Sequence, residues 1–410
     1  MKIHRILIFA AFAGLCLSPA FAQVQITNYT TADGLPEDFI CGGIAIADGN
    51  IVWAATNIGI ARFDGNSWTS FDTGDGLIDN YTTAIAVDAS NHVWVGTEMG
   101  ASMWNGTGFS NFTTNEGLID NGIRHIACDE AGNVYFATFS GLSVYNGSSF
   151  QNYNSGNGLP TDLLTFVCVV NSTDIWLGSL ANGAIHFDGT SFTAYTTAEG
   201  LTDDNISSIA VDAAGNKFLS SFQGIDVLNA DNAYTTTYNN EDGVFAPYAD
   251  GIYHNYVQFV HVDVYSNLWA LVFVDYLDDG AVCYLRDGTW HSITEADGLA
   301  DALVIKLATQ SDGVAWVATG LGISKIDIYV GNQVLNTAEI NISPNPASDY
   351  IEVSGVNENT GFTITDMCGK VITGLSLNNG RLDISSLNDG MYLIAIISGD
   401  SLKTLRFVKE

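Results

Sequence analysis

Positive charge is what this 410-residue chain has least of: 13 Lys and Arg stand against 45 Asp and Glu, a formal net charge of −32. Such a surface repels the phosphates of nucleic acids and anionic membranes, which excludes nucleic acid as a partner and favours cations or neutral ligands. The same acidity also serves simply to keep an exported protein in solution. Cysteine is scarce too, with six in all. Cys41, Cys128, Cys168, Cys283 and Cys368 lack the close Cys or His companions of a zinc site, and their scattered spacing argues against a disulfide framework. They read as small buried hydrophobes. Long apolar runs are confined to the start. Residues 1–22 carry Lys2, His4 and Arg5, an apolar run from Ile6 to Leu17, and a closing Ala20-Phe21-Ala22. That is the pattern of a cleaved secretory signal peptide, too short to span a bilayer. Leu15 directly before Cys16 argues against a lipoprotein signal. Nothing else approaches the roughly 18 uninterrupted apolar residues of a membrane helix, so no transmembrane segment is expected and the mature chain reads as exported and soluble.

What the chain has in abundance is repetition. A glycine recurs at Gly34, Gly76, Gly117, Gly158, Gly200, Gly243 and Gly298, each inside a near-copy of Asp/Glu/Asn-Gly-Leu/Val. The spacing is 41–43 residues and then 55. A period of about 40 residues built from short strands is the signature of a β-propeller with one four-stranded blade per repeat. Residues 123–153 show the pattern. Strand-like runs at Ile126-Ala127-Cys128, Val134–Thr138, Leu142–Tyr145 and Phe150–Tyr153 are separated by turn residues, including the hairpin pair Asn146-Gly147. The second strand holds Trp53, Trp94, Tyr135, Trp176, Phe218, Trp269 and Trp316 at one equivalent position. Such a row also suits sugar stacking, but an aromatic placed in every blade reads as core, each burying about 150–250 Å².

The two ends of the repeat set the blade count. After Gly298 only three strands remain, ending near Gly322–Asp327, while Gln25–Tyr29 is a spare outer strand at the other end. Pairing them gives an all-β fold of seven blades, closed by the N-terminal strand, over residues 23–330. These repeats resemble the two-component regulator propeller family, most clearly at Asn50–Thr56 with Gly59-Ile60 and at His92–Thr97 with Gly100. The resemblance implies a periplasmic sensor propeller. The kinase and membrane helix that usually accompany it are missing from this chain.

Beyond a linker at residues 331–338, the period disappears. Residues 339–410 carry Asn341-Ile342-Ser343-Pro344-Asn345-Pro346, Asp366-Met367-Cys368-Gly369-Lys370, Gly390-Met391-Tyr392 and a basic last strand at Arg406–Lys409. In that order they are similar to the C-terminal sorting domain of type IX secretion cargo, type A. The resemblance implies a small Ig-like β-sandwich read by the type IX secretion machinery, and a passenger released or held at the cell surface. Five of the chain's Lys and Arg lie here (Lys370, Arg381, Lys403, Arg406, Lys409), unlike the acidic propeller.

Candidate site residues fall on one face. The connections between blades share a face with the loops joining second and third strands. Just past the repeated glycines stand Glu37, Asp38, Asp79, Asn80, Asp120, Asn121, Asp162, Asp203, Asp204 and Asp301. They form an acidic rim near the channel mouth, or else they cap their own turns. Blade six carries two insertions on that face. The glycine-to-aromatic interval grows from 18 to 26 residues, and the interval from Trp269 to Gly280 is 11 where six is usual. The insertions bring Tyr248, Asp250, Tyr253, His254 and Tyr256, suited to sugar stacking and hydroxyl hydrogen bonds, and Asp275, Tyr276, Asp278 and Asp279, oxygen donors suited to calcium. No Asp-x-Asp-x-Asp-Gly loop accompanies them. A further group, Arg124, His125, His261 and Lys306, lies on inner strands, to meet a ligand carboxylate or neighbouring acids. The expectation is a non-catalytic propeller binding a glycan or extracellular protein. A metal-assisted polysaccharide lyase or hydrolase using His254, His261, Arg124 or Tyr253 is the alternative, and an orphan extracellular sensor is a third.

Overall fold

The computed structural model describes residues 24–239, 256–274 and 279–328, and in the tail 341–354, 361–366, 371–372, 377–378, 380–388, 390–398 and 401–409. The signal segment and the linker lie outside the described residues. Two compact units result, residues 26–327 and the remainder.

In the first unit each repeat becomes one four-stranded sheet. Blade 1 runs through Gly43–Ala47, Ile51–Thr56, Gly59–Phe63 and Trp68–Phe71, and blade 2 through Thr82–Val87, Val93–Thr97, Ala101–Trp104 and Phe109–Phe112. Blades 3 to 6 follow with first strands at Ile123–Cys128, Leu164–Asn171, Ser208–Val211 and Phe259–Val262. Blade 7 has Val304–Thr309, Ala315–Thr319 and Gly322–Asp327, and its outer strand is Gln25–Tyr29 from the other end of the chain. Asn28 strengthens that seam: its amide donates to the Gly298 carbonyl at 2.9 Å, and its Oδ1 accepts from the Ser324 hydroxyl at 2.8 Å. The inner strands of successive blades touch in order, and that of blade 7 touches that of blade 1. The ring is closed, leaving no open edge between first and last blades.

The packing follows the repeated aromatics. Trp94, Trp176, Trp269 and Trp316 are among the largest fully buried side chains. Trp94 and Trp316 pack between neighbouring blades: Trp94 meets Phe112 at 5.3 Å and Tyr145 of blade 3 at 5.7 Å, and Trp316 meets Phe63 of blade 1 at 5.6 Å. Removing one such ring costs about 3–5 kcal/mol in typical cores. The four cysteines of this unit are free thiols, buried or half-buried, and burial raises each thiol's pKa.

The tail unit has two four-stranded sheets. One orders Asn341–Ser343, Tyr350–Ser354, Arg381–Asp383 and Leu377–Asn378, the other Val371–Ile372, Gly361–Asp366, Gly390–Ser398 and Ser401–Lys409. Ile351, Val353, Leu382, Ile364, Ile394 and Phe407 from both sheets share one core. Described motif residues tie this unit together. Asn345 Oδ1 accepts the Val408 N–H at 2.9 Å, the Ala347 N–H donates to the Val408 carbonyl, and the Tyr392 hydroxyl donates to the Asn388 carbonyl.

Candidate functional site

The face that carries the turn glycines is built by two kinds of loop. The connection from one blade to the next is a short 3-10 turn closed by a capping residue and its partner three positions on: Thr30 with Asp33, Asn154 with Asn157, Thr294 with Asp297. The acids beyond the glycine then fasten the same turn. Asp38 Oδ1 accepts the Thr31 N–H, Asp162 that of Ser155 and Asp204 that of Thr197, at 2.6, 2.6 and 2.7 Å. Asn80 and Asn121 do the same for Thr73 and Thr114 at 2.8 Å. Asp79, Asp120, Asp203 and Asp301 each accept a backbone N–H two residues on. The acidic rim is thus turn chemistry first, and its negative field is a by-product.

The second kind of loop joins strands two and three. A Ser or Thr hydroxyl at the end of strand two donates to the carbonyl of the glycine that opens strand three, as Thr56 to Gly59, Thr97 to Gly100 and Thr138 to Gly141, each at 2.8 Å. Glycine is required there because the chain has a positive φ and the fourth strand crosses close by. A Cβ on Gly59 would stand 2.3 Å from the Phe71 carbonyl oxygen. Those two residues define the turn and leave its tip free to vary. Yet each described tip carries one exposed apolar side chain: Ile58, Met99, Phe139, Leu180, Phe222 and Leu321, 38–58 % exposed. Tyr81 and Leu163, from the neighbouring connections, are exposed too. Turn geometry does not ask for these residues, and sequence reading passed over them because no single repeat makes them stand out. Only alignment of the tips on one face shows the ring.

Of the blade-six candidates, Tyr256 is described and joins this ring, stacked on Phe222 at 4.4 Å with the rings 18° apart. Tyr248, Asp250, Tyr253, His254, Asp275 and Asp278 lie outside the described residues. Asp279 opens the third strand of its blade, opposite Val274. Among the described residues no group of three or more His, Cys, Asp and Glu could hold a metal ion.

The inner-strand candidates do not form one constellation. In blades 2, 3, 4 and 7 the register of the first strand slips by one residue near its start. Arg124 is the extra residue of blade 3. At the same bulge Thr83 and Thr165 bind the next blade, donating to the Ile123 and Ile206 carbonyls at 2.6 Å. Arg124 instead turns back to the tip of blade 2, with Nη1 2.9 Å from Glu98 Oε1 and its guanidinium 4.2 Å from the centre of the Phe139 ring. Lys306 crosses from blade 7, its chain packed on Gly43, and its Nζ lies 3.4 Å from the Gly42 and Thr83 carbonyls. Burial lowers its pKa to about 8. His125 stacks on Phe166 at 3.8 Å, and its Nδ1 is 3.1 Å from the Val167 carbonyl. Burial, with the charge of Lys306, holds it well below the ordinary histidine range. His261 Nε2 meets the Thr309 hydroxyl at 2.9 Å, and burial lowers its pKa to about 4. Both imidazoles are neutral at pH 7.

A further set of functional-looking acids proves structural. Asp88, Asp129 and Asp263, six residues before the core aromatic, accept from Trp94 Nε1, the Tyr135 hydroxyl and Trp269 Nε1 at 2.9, 3.1 and 2.9 Å. Each also holds the turn that follows, through His92, Asn133 or Asn267. The spacing Asp-x-x-x-His/Asn, repeated in Asp212 and Asn216, is the sequence signal for it.

Residues 341–410 match the family model of the secretion system C-terminal sorting domain, and residues 76–99 that of the two component regulator propeller. The chain carries two component regulator propeller repeats followed by a type IX sorting domain, and its destination is the cell surface or the exterior. No helix among the described residues is long and apolar enough to cross a membrane. Among solved structures the chain is similar to PorZ, an essential bacterial surface component of the type-IX secretion system of Porphyromonas gingivalis, with 17% identity and a TM-score of 0.60 over 92% of this chain and 60% of that one. It is similar to the extracellular domain of a hybrid two component system from B. thetaiotaomicron, with 12% identity and a TM-score of 0.62 over 94% and 57%. A streptogramin B lyase structure matches at 13% identity and a TM-score of 0.60 over 76% and 99%. The chain spans about three fifths of the length of the first two. At these identities the likeness is one of fold. No curated protein matches.

Proposed function

We propose that this exported propeller is a non-catalytic binding module that docks a protein partner on the face bearing the strand-two to strand-three tips. The observation that carries the reading is the set of exposed apolar side chains, one on each of the six described tips, where the turn itself needs only a hydroxyl and a glycine. Exposed apolar groups gathered on one face mark interaction surfaces. Acids between the tips give that surface a negative field, which suits a partner with an apolar anchor surrounded by Lys and Arg. Aliphatic tips such as Ile58, Met99, Leu180 and Leu321 fit a protein contact better than sugar stacking, for which Phe222 with Tyr256 is the best platform. Calcium held by Asp275, Asp278 and Asp279 is the metal reading of the same face. The tail, read as an Ig-like sandwich, delivers the module through the type IX machinery, after a signal peptide at residues 1–22 has directed it across the inner membrane.

The test is site-specific photo-crosslinking on cells, with the crosslinker at Met99 or Leu321 and, as control, at Asn66 on the opposite face. A discrete protein adduct from the first two and none from the third is expected, and Phe222→Ser should weaken it. A glycan array run with and without chelator is the second arm. A sugar hit lost in Phe222→Ser, with no adduct at Met99 or Leu321, would replace the protein partner by a glycan, and chelator sensitivity would assign the metal.

A further inference from the structure

On the opposite face, between blades 1 and 2, the structure has a cavity of about 310 Å³ lined by Ala47, Trp53, Arg62, Phe71, Asn91 and Trp104. Its origin lies in the repeat. Where blade 2 has Asp88, whose carboxylate fills the space beside the Trp94 indole, blade 1 has Ala47. The Trp53 and Trp104 indole N–H groups make no hydrogen bond to a described residue, and both rings line the cavity. Opposite Trp53 in register stands Arg62, where Met103 and Val144 occupy the same position in blades 2 and 3. The propeller has six cations, and five are engaged: Arg124 by Glu98, Arg286 by Asp287, Lys217 by Asn232, Lys306 by two carbonyls, and Lys325 over the Trp316 ring. Arg62 has no hydrogen-bond or ion-pair partner among the described residues, and its charge acts through space on the exposed Asp64. In a chain of net charge −32, a half-buried guanidinium that forms no ion pair with a described residue keeps its donors available to an anionic ligand. Asn91 spends its Oδ1 on the Asp48 N–H, which leaves its NH₂ as a donor at the rim.

We propose that this cavity binds a sugar ring bearing a carboxylate, with Arg62 taking the carboxylate, the Trp53 and Trp104 indoles with Phe71 contacting the ring and donating to its hydroxyls, and the Asn91 amide at the edge. The volume is at the lower end of small-ligand sites and suits one or two pyranose units. Donors dominate the lining and no carboxylate is part of it, so anionic and hydroxylic ligands are selected and cations rejected. The inference stands apart from the proposed protein-docking face, which uses loops at the other end of the blades.

Isothermal titration of the full chain with D-galacturonate and D-glucuronate, against D-galactose and benzoate, tests it. At least one uronate should bind with a millimolar or tighter Kd, and both galactose and benzoate about tenfold more weakly or not at all, a difference of roughly 1.4 kcal/mol. Ala47→Asp should abolish uronate binding, because the new carboxylate takes the Trp53 indole and the Arg62 charge as Asp88 takes the Trp94 indole. Arg62→Met should lower affinity about tenfold or more, and Arg62→Lys should keep part of it. Equal binding of uronate and galactose would overturn the anionic part, and benzoate binding as tightly would overturn the sugar. Absence of any uronate binding, or unchanged affinity in a folded Ala47→Asp chain, would overturn the site altogether.

Discussion

Blade 1 and blade 2 share one repeat pattern and one four-stranded frame, yet blade 2 is chemically closed and blade 1 open. In blade 2 Asp88 accepts the Trp94 indole, the His92 ring and backbone N–H groups of Ser90 and His92, all at 2.9–3.0 Å. In blade 1 Ala47 takes that place, and a cavity with an unpaired arginine lies beside Trp53. A repeat protein thus supplies its own control. The position is Asp in blades 2, 3, 5 and 6 and Ala47, Val170 and Gln310 in blades 1, 4 and 7, and where it is smallest, at Ala47, a ligand has room to act.

The sharpest way to break the comparison is to make blade 2 resemble blade 1. Asp88→Ala would strand the indole N–H of Trp94, which is 2 % exposed, and release the turn at His92. A buried polar group left unpaired costs about 1–3 kcal/mol, and loss of the turn bonds adds to it, so a destabilisation of about 2–4 kcal/mol is expected in chemical denaturation. Burial pushes the Asp88 carboxyl up, but the hydrogen bonds from Trp94 and His92 outweigh it and hold the group below its usual range. Its contribution is therefore present above the unfolded carboxylate pKa and lost as the pH falls through the lower folded value. Asp88→Ala should accordingly lose less stability on acidification than the parent. An equal loss would mean that the ion is not what the indole binds.

His261 is the second break, smaller and pH-dependent. It occupies the inner-strand position where blades 1, 2, 3, 5 and 7 have alanine. Its imidazole, lowered to about 4 by burial against a weaker opposing pull from Asp263, is neutral in the folded chain. The unfolded chain takes up a proton first, near the ordinary 6.5, so stability is full above that pH and declines as the pH falls toward 4. The slope is at most about 1.4 kcal/mol per pH unit for one proton. His261→Gln should flatten Tm against pH in this window, leaving the part due to His125, which is shifted the same way. An unchanged profile would show that His261 is solvated enough to titrate normally.

What the sequence disclosed and what it withheld follow one rule. Blade count, the seam at Gln25–Tyr29 and the core row of aromatics were legible because each is enforced by burial in every repeat. The role of Asp38, Asp162 and Asp204 was legible only as a choice between field and turn, and hydrogen bonds at 2.6–2.7 Å decide for the turn. The apolar tips were missed because Ile58 and Phe139 occupy different places in a two-residue tip, so alignment by sequence scatters what alignment by face collects. The cavity was missed because its cause is a side chain that is absent, and Ala47 looks like any other alanine. Arg124, His125, His261 and Lys306 were grouped because they share inner strands. Only His125 and Lys306 share an environment; a bulge turns Arg124 away to Glu98, and His261 faces Thr309.

Arg124 offers the smallest effect and the finest test. At the bulge where Thr83 and Thr165 hold the next blade, it holds the tip of the previous one through Glu98, both side chains partly exposed at 32% and 43%. Exposed pairs of this kind are worth about 0–1 kcal/mol. Arg124→Thr, which restores the repeat's own residue, should therefore leave denaturant stability within about 1 kcal/mol of the parent. It would also free Glu98 beside Met99 and make the docking face more negative. If that face receives a basic partner, association should become faster at low salt and more salt-dependent, with little change in dissociation. Stability falling well beyond that margin would assign Arg124 to the scaffold. Slower association would show that its charge, rather than the acids around it, meets the partner.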